Sequence, residues 1–326
     1  MGNQASGSTS RTRPLNTIDQ CVRAAAASLP TQLALADAPN REQIFGGDAE
    51  RLSWSEVDQT VQSLCATLTD MGVVRGGRVA VQLPNVVELP LTILACARLG
   101  AVAVPFPIQH RRHELSHGLA TSGAELMISG ARPDRVDVFE TIQEAAASCG
   151  SDVRIAGFGA DLPDDVTRLE RSSTIDEAGT ANPTVPSAVA DDVTTICWTS
   201  GTTGTPKGVP RTNAMWLASG DFQVSQLGLT ADDNILCPFP VVNMAGIGGM
   251  LVPWAMVGAS LFLHQPLDLP VFLEQLAGEA ISYTVAPPAL LNMLLSNEQM
   301  LEGLELPALR MISSGSAPLD PWMVEG

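Results

Sequence analysis

The sequence predicts an α/β protein built from two doubly wound layers of mostly parallel sheet flanked by helices. Three observations carry that expectation. Short apolar runs alternate with helical stretches from residue 79 onward, the pattern of strands buried on both faces. One unit is complete: residues 79–83 read as a strand, Pro84-Asn85 as a turn, residues 87–99 as an apolar helix and 101–104 as the next strand, which together make a βαβ crossover. The 326 residues also suggest two domains, at roughly 100–200 residues each.

Each element has a local cause. Residues 1–15 form a polar tail without the apolar run of a secretory signal, and the fit of residues 1–6 to a myristoylation pattern reads as coincidence within it. Residues 17–29 keep a helical period and stop at Pro30. Leu52-Ser53-Trp54 is strand-like; Val57, Val61, Leu64, Cys65, Leu68 and Met71 then recur at helical spacing, with Gly72 as the cap. Residues 126–128 and 153–155 read as further strands.

From 157 to 192 the apolar period vanishes and Asp, Ser, Thr, Pro and Gly dominate, so a first subdomain is expected over residues 16–190 and a second over 191–326. In the second, residues 193–199 read as a strand, Asn213 as the cap of a helix starting at Ala214, and 309–312 as another strand. Asp320-Pro321 reads as a helix start. About one turn later the chain stops, and a helix that short is unstable, so the sequence is expected to be truncated.

Composition removes several function classes. Eighteen basic against thirty-five acidic residues give a net charge of -17, which argues against a nucleic-acid partner and requires any phosphate site to be local, built from backbone amides and a few cations. With 45% hydrophobic and 16% charged residues the chain is not mainly disordered. The cysteines at 21, 65, 96, 149, 197 and 237 form no C-x-x-C pair and read as reduced thiols in a cytoplasmic setting. No charged residue lies between Asp233 and Asp268, and residues 244–263 match a bilayer span of ~20 residues in length. Pro253, the glycines at 246, 248, 249 and 258, and the lack of flanking Lys or Arg favour buried core elements, so no membrane span is expected.

The sharpest feature is Thr199-Ser200-Gly201-Thr202-Thr203-Gly204-Thr205-Pro206-Lys207-Gly208, after the 193–199 strand. Glycines let backbone N–H groups approach a polyphosphate, hydroxyls donate further bonds, and Lys207 supplies a point charge. Pro206 before the lysine and Gly208 after it depart from the P-loop order. On composition alone, a Thr/Gly turn with a solvated lysine is the plainer alternative. His110, His113 and His117 sit among arginines and read as a polar helix start, while His264 reads as a satisfied core or boundary residue. No metal site is expected from protein ligands.

This stretch closely resembles the phosphate-binding segment of the adenylate-forming superfamily, which contains acyl-CoA and aryl-CoA synthetases, peptide-synthetase adenylation domains and luciferases. The resemblance covers most of the chain: Leu52-Ser53-Trp54-Ser55-Glu56-Val57, Gly76-Gly77-Arg78-Val79-Ala80-Val81, Leu83-Pro84-Asn85, Val285-Ala286-Pro287-Pro288 and residues 309–319 fall in the family's order. It implies that Thr199, Ser200, Gly201, Thr202, Thr203, Gly204 and Lys207 hold the β- and γ-phosphates of ATP, with Lys207 catalytic, and that Gly315, Ser316, Ala317 and Pro318 line the adenine. Ser316 stands where a glycine is usual. Asn243, in the segment that carries an aromatic-His pair in the family, would lie with Gly246 beside the acyl pocket. There it either alters carboxylate recognition or merely bonds local backbone.

The implied reaction is attack of a small carboxylic acid on the α-phosphorus of ATP with Mg2+, releasing pyrophosphate, then acyl transfer to coenzyme A or a carrier thiol. Positioning and charge stabilisation carry such chemistry. The family's later Thr-Glu pair, ribose aspartate, hinge and C-terminal lysine domain have no counterpart, so the resemblance is to an N-terminal portion. A truncated, non-catalytic paralogue that binds nucleotide or a partner is the alternative. Nothing in the sequence specifies an oligomeric state.

Overall fold

The computed structural model describes residues 15–171, 188–199, 206–296, 299, 301–315 and 317–322. Helix α1 (Ile18–Ser28) starts where the Thr17 hydroxyl accepts the Gln20 N–H. After β1 (Leu33–Ala36), the single turn α2 (Arg41–Ile44) and β2 (Arg51–Ser53), a reciprocal Ser53–Glu56 capping box launches α3 (Trp54–Asp70). Strand and helix then alternate: β3 (Arg78–Val81), α4 (Glu88–Leu99), β4 (Val102–Pro105), α5 (Arg112–Ser122), β5 (Leu126–Gly130), α6 (Val138–Cys149), β6 (Arg154–Phe158) and the short β7 (Thr167–Arg168). β8 (Val193–Thr199) and β9 (Lys207–Thr212) pair antiparallel, followed by α7 (Asn213–Leu227) and β10 (Asn234–Cys237). Next come α8 (Met244–Gly246), a π turn (Ile247–Leu251), α9 (Val252–Val257), β11 (Ser260–Leu263), α10 (Leu269–Gly278), β12 (Tyr283–Val285), α11 (Pro288–Leu295) and β13 (Met311–Ser313).

Among the described residues the strands form two mostly parallel sheets, seven-stranded in the order β7-β6-β5-β3-β4-β8-β9 and six-stranded in the order β13-β12-β10-β11-β1-β2. The architecture is the predicted one. The sheets do not follow a cut at 190/191, however. β8 lies parallel to β4, with Ala103 beside Thr195, and β1 lies parallel to β11, with Leu35 beside Leu261. A loop-rich composition marks a connection but carries no information about which sheet edge the next strand joins.

Most local expectations hold to within a few residues. Asn213 is a correction: Thr212 caps α7, its hydroxyl accepting the Met215 N–H, while the buried Asn213 amide accepts the Ile18 N–H and donates to the Val189 carbonyl. Both residues are good caps, and tertiary partners decided between them. The uncharged run becomes β10, a short helix with a π turn, and β11; no described helix is long and apolar enough to cross a membrane. Val252 donates five residues back to Ile247, and Pro253, which has no N–H, follows at once. The expected tail (1–14), most of the connection (172–187) and the last residues of the nascent helix (323–326) lie outside the described residues.

The largest of the buried clusters runs through both layers. Every residue of α4 is buried, its charged Glu88 and Arg98 being ion-paired with Arg41 and with Asp19 and Asp58. Trp54 and Trp254 stack at 4.5 Å, and their indole N–H groups donate to the carbonyls of Gly258 and Ala34. All six cysteines are free thiols, five of them buried. Burial pushes Cys65 and Cys237 up to about 12, so these thiols stay protonated.

Candidate active site

The two described ends of the Thr/Gly/Lys segment lie on paired strands. Thr199 closes β8 and pairs with Lys207, which opens β9. Ser200, Gly201, Thr202, Thr203 and Gly204 lie outside the described residues. Gly208 lets the two strands close tightly, because a Cβ there would come 2.8 Å from Ile196 Cγ2. Lys207 is exposed and has no ion-pair partner among the described residues. It is also the sole lysine of the 326 residues; every other basic side chain counted is arginine.

The other candidate residues leave the six-stranded sheet at its carboxyl ends. The chain runs from β10 toward β11 but from β12 toward β13, so strand order reverses between β10 and β12. Open α/β sheets leave a ligand crevice at such a reversal. The 238–246 segment departs from β10, and the loop with Gly315, Ala317 and Pro318 follows β13, one strand beyond β12. Those three residues are exposed, and among the described residues a Cβ on Gly315 would meet nothing within 4 Å. Ser316 lies outside the described residues.

Asn243 and Gly246 are brought together. The Asn243 side-chain oxygen Oδ1 accepts the N–H groups of Ala245 and Gly246, both at 3.0 Å, and so caps α8. This geometry supports the local-backbone role for Asn243. Gly246 is sterically required, since a Cβ would lie 2.1 Å from the Pro240 carbonyl oxygen. Among the described residues, no hydrogen bond joins this group to Lys207 or to the 315–318 loop.

A residue of the β3–α4 turn supports the segment from beneath. Asn85, 1% exposed, donates to the Phe239 carbonyl at 2.7 Å and accepts the Val241 N–H at 2.9 Å. Its partners lie more than 150 positions away, so nothing local in the sequence reveals the role. Beside it, the Asp37 carboxylate accepts the Val87 N–H and pairs with Arg41, which forks onto Glu88. Burial, with the Glu88 charge, pushes Asp37 up to about 6 against the pull of Arg41.

His264 has a structural role. His264 is fully buried; its Nε2 accepts the Asp268 N–H, which leaves Nδ1 to donate to Gln275. Burial holds its pKa below the ordinary histidine value. Among the described residues no group of His, Cys, Asp and Glu could hold a metal. A cavity of about 1190 Å³ at the carboxyl ends of β5 and β6, lined by Phe45, Arg132, Phe139, Phe158 and Arg171 among others, contains none of the sequence-predicted site residues. Its arginines are satisfied by acidic neighbours, Arg132 by Asp134 and Arg171 by Glu50 and Glu88.

Two mostly parallel sheets with helices on their faces and loops gathered at strand ends are the architecture of the N-terminal domain of adenylate-forming enzymes. Solved structures agree on the fold. The N-terminal domain of FACL13 from Mycobacterium tuberculosis superposes with a TM-score of 0.76 at 24% identity over 95% of this chain and 72% of that one. Apo MbtA from Mycobacterium smegmatis gives 0.79 at 22% identity over 95% and 54%. The chain belongs to the AMP-binding enzyme family, which it matches over residues 24–325. It is 28% identical to 4-coumarate–CoA ligase 5 of rice, Oryza sativa subsp. japonica, over 87% of this chain and 51% of the relative. It is 30% identical to indoleacetate–CoA ligase of Aromatoleum aromaticum over 81% and 50%. The chain thus spans about half the length of the curated relatives it matches.

Proposed function

We propose that this chain forms the nucleotide- and acid-binding portion of an AMP-forming acid–thiol ligase. The observation that carries the reading is Lys207: the sole lysine of the chain, exposed and without an ion-pair partner among the described residues, at the closing pair of a Thr/Gly loop. A solvated ammonium at that point is the donor a triphosphate needs within a strongly acidic protein. In this reading Lys207 and the hydroxyls and amides of Thr199, Ser200, Gly201, Thr202, Thr203 and Gly204 bind the β- and γ-phosphates of ATP. The open space at Gly315, with Ser316, Ala317 and Pro318, receives the adenine. The 240–246 segment, capped by Asn243 and tightened at Gly246, walls the acid.

The fit to cofactors is uneven. The described residues offer no cluster of protein ligands for Mg2+, so the ion is proposed to enter with the triphosphate, where it would neutralise charge. This chain's residues then bind and align a carboxylate for in-line attack on the α-phosphorus, with pyrophosphate leaving and coenzyme A or a carrier thiol accepting the acyl group. The relatives' names include coumarate, indoleacetate and long-chain fatty acids, which supports an aryl or alkyl carboxylic acid as substrate. Six unpaired thiols support a cytoplasmic setting.

Amine-reactive labelling tests the core of this reading, because Lys207 is the one side-chain amine available. ATP with Mg2+ should slow its labelling, and ATP–pyrophosphate exchange should appear with at least one aryl, fatty or alicyclic acid. Protection without exchange would assign nucleotide binding without turnover. Labelling indifferent to ATP would sink the phosphate site.

A further inference from the structure

Helix α5 places His117 over the stem of the β8–β9 hairpin. Its Nε2 lies 3.0 Å from the carbonyl oxygen of Pro206. A carbonyl can only accept, so Nε2 carries the proton and the neutral ring is the Nε2–H tautomer. The ring is tilted against the Trp198 indole at 6.3 Å, and that indole stacks on Phe106 at 5.4 Å. Gly118 permits this approach, since a Cβ there would fall 2.2 Å from Phe106 Cε1 and 3.3 Å from Trp198 Cζ2. Pro206 has no N–H, and its carbonyl is the last acceptor before Lys207.

We propose that His117 is a positioning residue for Lys207: its Nε2–H grips the Pro206 carbonyl and holds the outgoing stem so that the lysine ammonium faces the triphosphate. The inference rests on the phosphate reading of the loop, and adds to it a donor from a different element. The strand pairing of Lys207 with Thr199 fixes register along the hairpin; the helix contact fixes the stem relative to the rest of the seven-stranded layer. Trp198 and Phe106 supply the rigid backing that a positioning ring requires.

Three variants separate the hydrogen bond from packing. His117→Phe keeps a ring against Trp198 and loses the donor; His117→Met does the same without a ring, in case the first fails to fold; His117→Gln restores an amide donor. Two measurements are made on the full chain: hydrogen exchange over residues 206–212 without ligand, and calorimetric titration with ATP and Mg2+. The donor-less variants should exchange ~5–10-fold faster there and bind ATP ~5–10-fold more weakly, the worth of one neutral hydrogen bond. His117→Gln should return to within about twofold on both. Exchange in His117→Phe equal to that of the unsubstituted chain, or equal impairment of Phe and Gln variants, would overturn the proposal. If the unsubstituted chain itself does not bind ATP, the phosphate reading fails separately, and the exchange comparison alone then decides whether His117 anchors the stem.

Discussion

Asn85 and Val241 are joined by a buried hydrogen bond of 2.9 Å across the two sheets, while the same Asn85 amide donates to Phe239 two residues earlier. One side chain thus ties the carboxyl end of β3 to the segment leaving β10, at the strand-order reversal proposed to hold the substrate.

Asn85→Ala should lower stability by ~1–3 kcal/mol, because it leaves the buried Val241 N–H unpaired and leaves the Phe239 carbonyl with only the weak Cys237 thiol as donor. Asn85→Asp should do no better: it keeps an acceptor for Val241 but turns a carboxylate oxygen toward the Phe239 carbonyl. Urea unfolding followed by circular dichroism reads both. Two variants as stable as the unsubstituted chain would show that the sheets need no such tie.

Lys207→Ala should leave the urea midpoint unchanged, since the side chain is exposed, and weaken ATP binding by ~1.5–3 kcal/mol, the range for hydrogen bonds to charged groups. Calorimetry with ATP and Mg2+ checks this, and unchanged affinity contradicts the assigned role.

Gly246→Ala and Gly249→Ala make a matched pair. At Gly246 the added methyl meets the Pro240 carbonyl at 2.1 Å, whereas at Gly249 nothing lies within 4 Å. The first should cost ~1–3 kcal/mol or more through overpacking against backbone; the second should be neutral or gain up to ~1 kcal/mol. Equal thermal shifts for the two would contradict the packing described around α8.

Two buried carboxylates should respond to pH in opposite directions. Burial works against ionisation of Asp233, but the Ser282 hydroxyl and the Arg310 guanidinium outweigh it and hold its pKa below the usual range. Its contribution is present above the ordinary carboxylate pKa and is lost as pH falls through the folded value. Asp37, pushed up to about 6, behaves in reverse: the folded state binds the extra proton, so stability falls as pH rises from ~4 through about 6. Arg310→Ala should therefore remove part of the acid-side loss and leave the slope near pH 6 in place. Denaturation midpoints measured from pH 3 to 8 test it, and a slope near pH 6 that disappears in Arg310→Ala would contradict the assignment to Asp37.

How much of this was legible in the sequence depended on the range of the forces involved. α3 and α4 were readable because their apolar spacing and buried length are local properties, and the Thr/Gly/Lys stretch because its chemistry is contiguous. The role of Asn85 was not, since its partners are set by how two sheets meet. Asn243 could be read two ways from sequence; in the fold its side-chain oxygen caps α8. His117 looked like surface, and only the packing of α5 on the hairpin turned it toward Pro206. The sheets cross the 190/191 cut for the same reason: composition marks a connection, and strand partners are chosen by hydrogen bonding between distant segments.

The neighbours Leu35 and Leu261 also impose an order on synthesis. β1 and β2 leave the ribosome early, yet their parallel partner β11 follows more than two hundred residues later. Until Leu263 has emerged, the nascent chain carries a two-stranded hairpin with one apolar edge open, which is marginal alone and prone to pair wrongly. A split between residues 172 and 187 would separate each sheet from strands it needs.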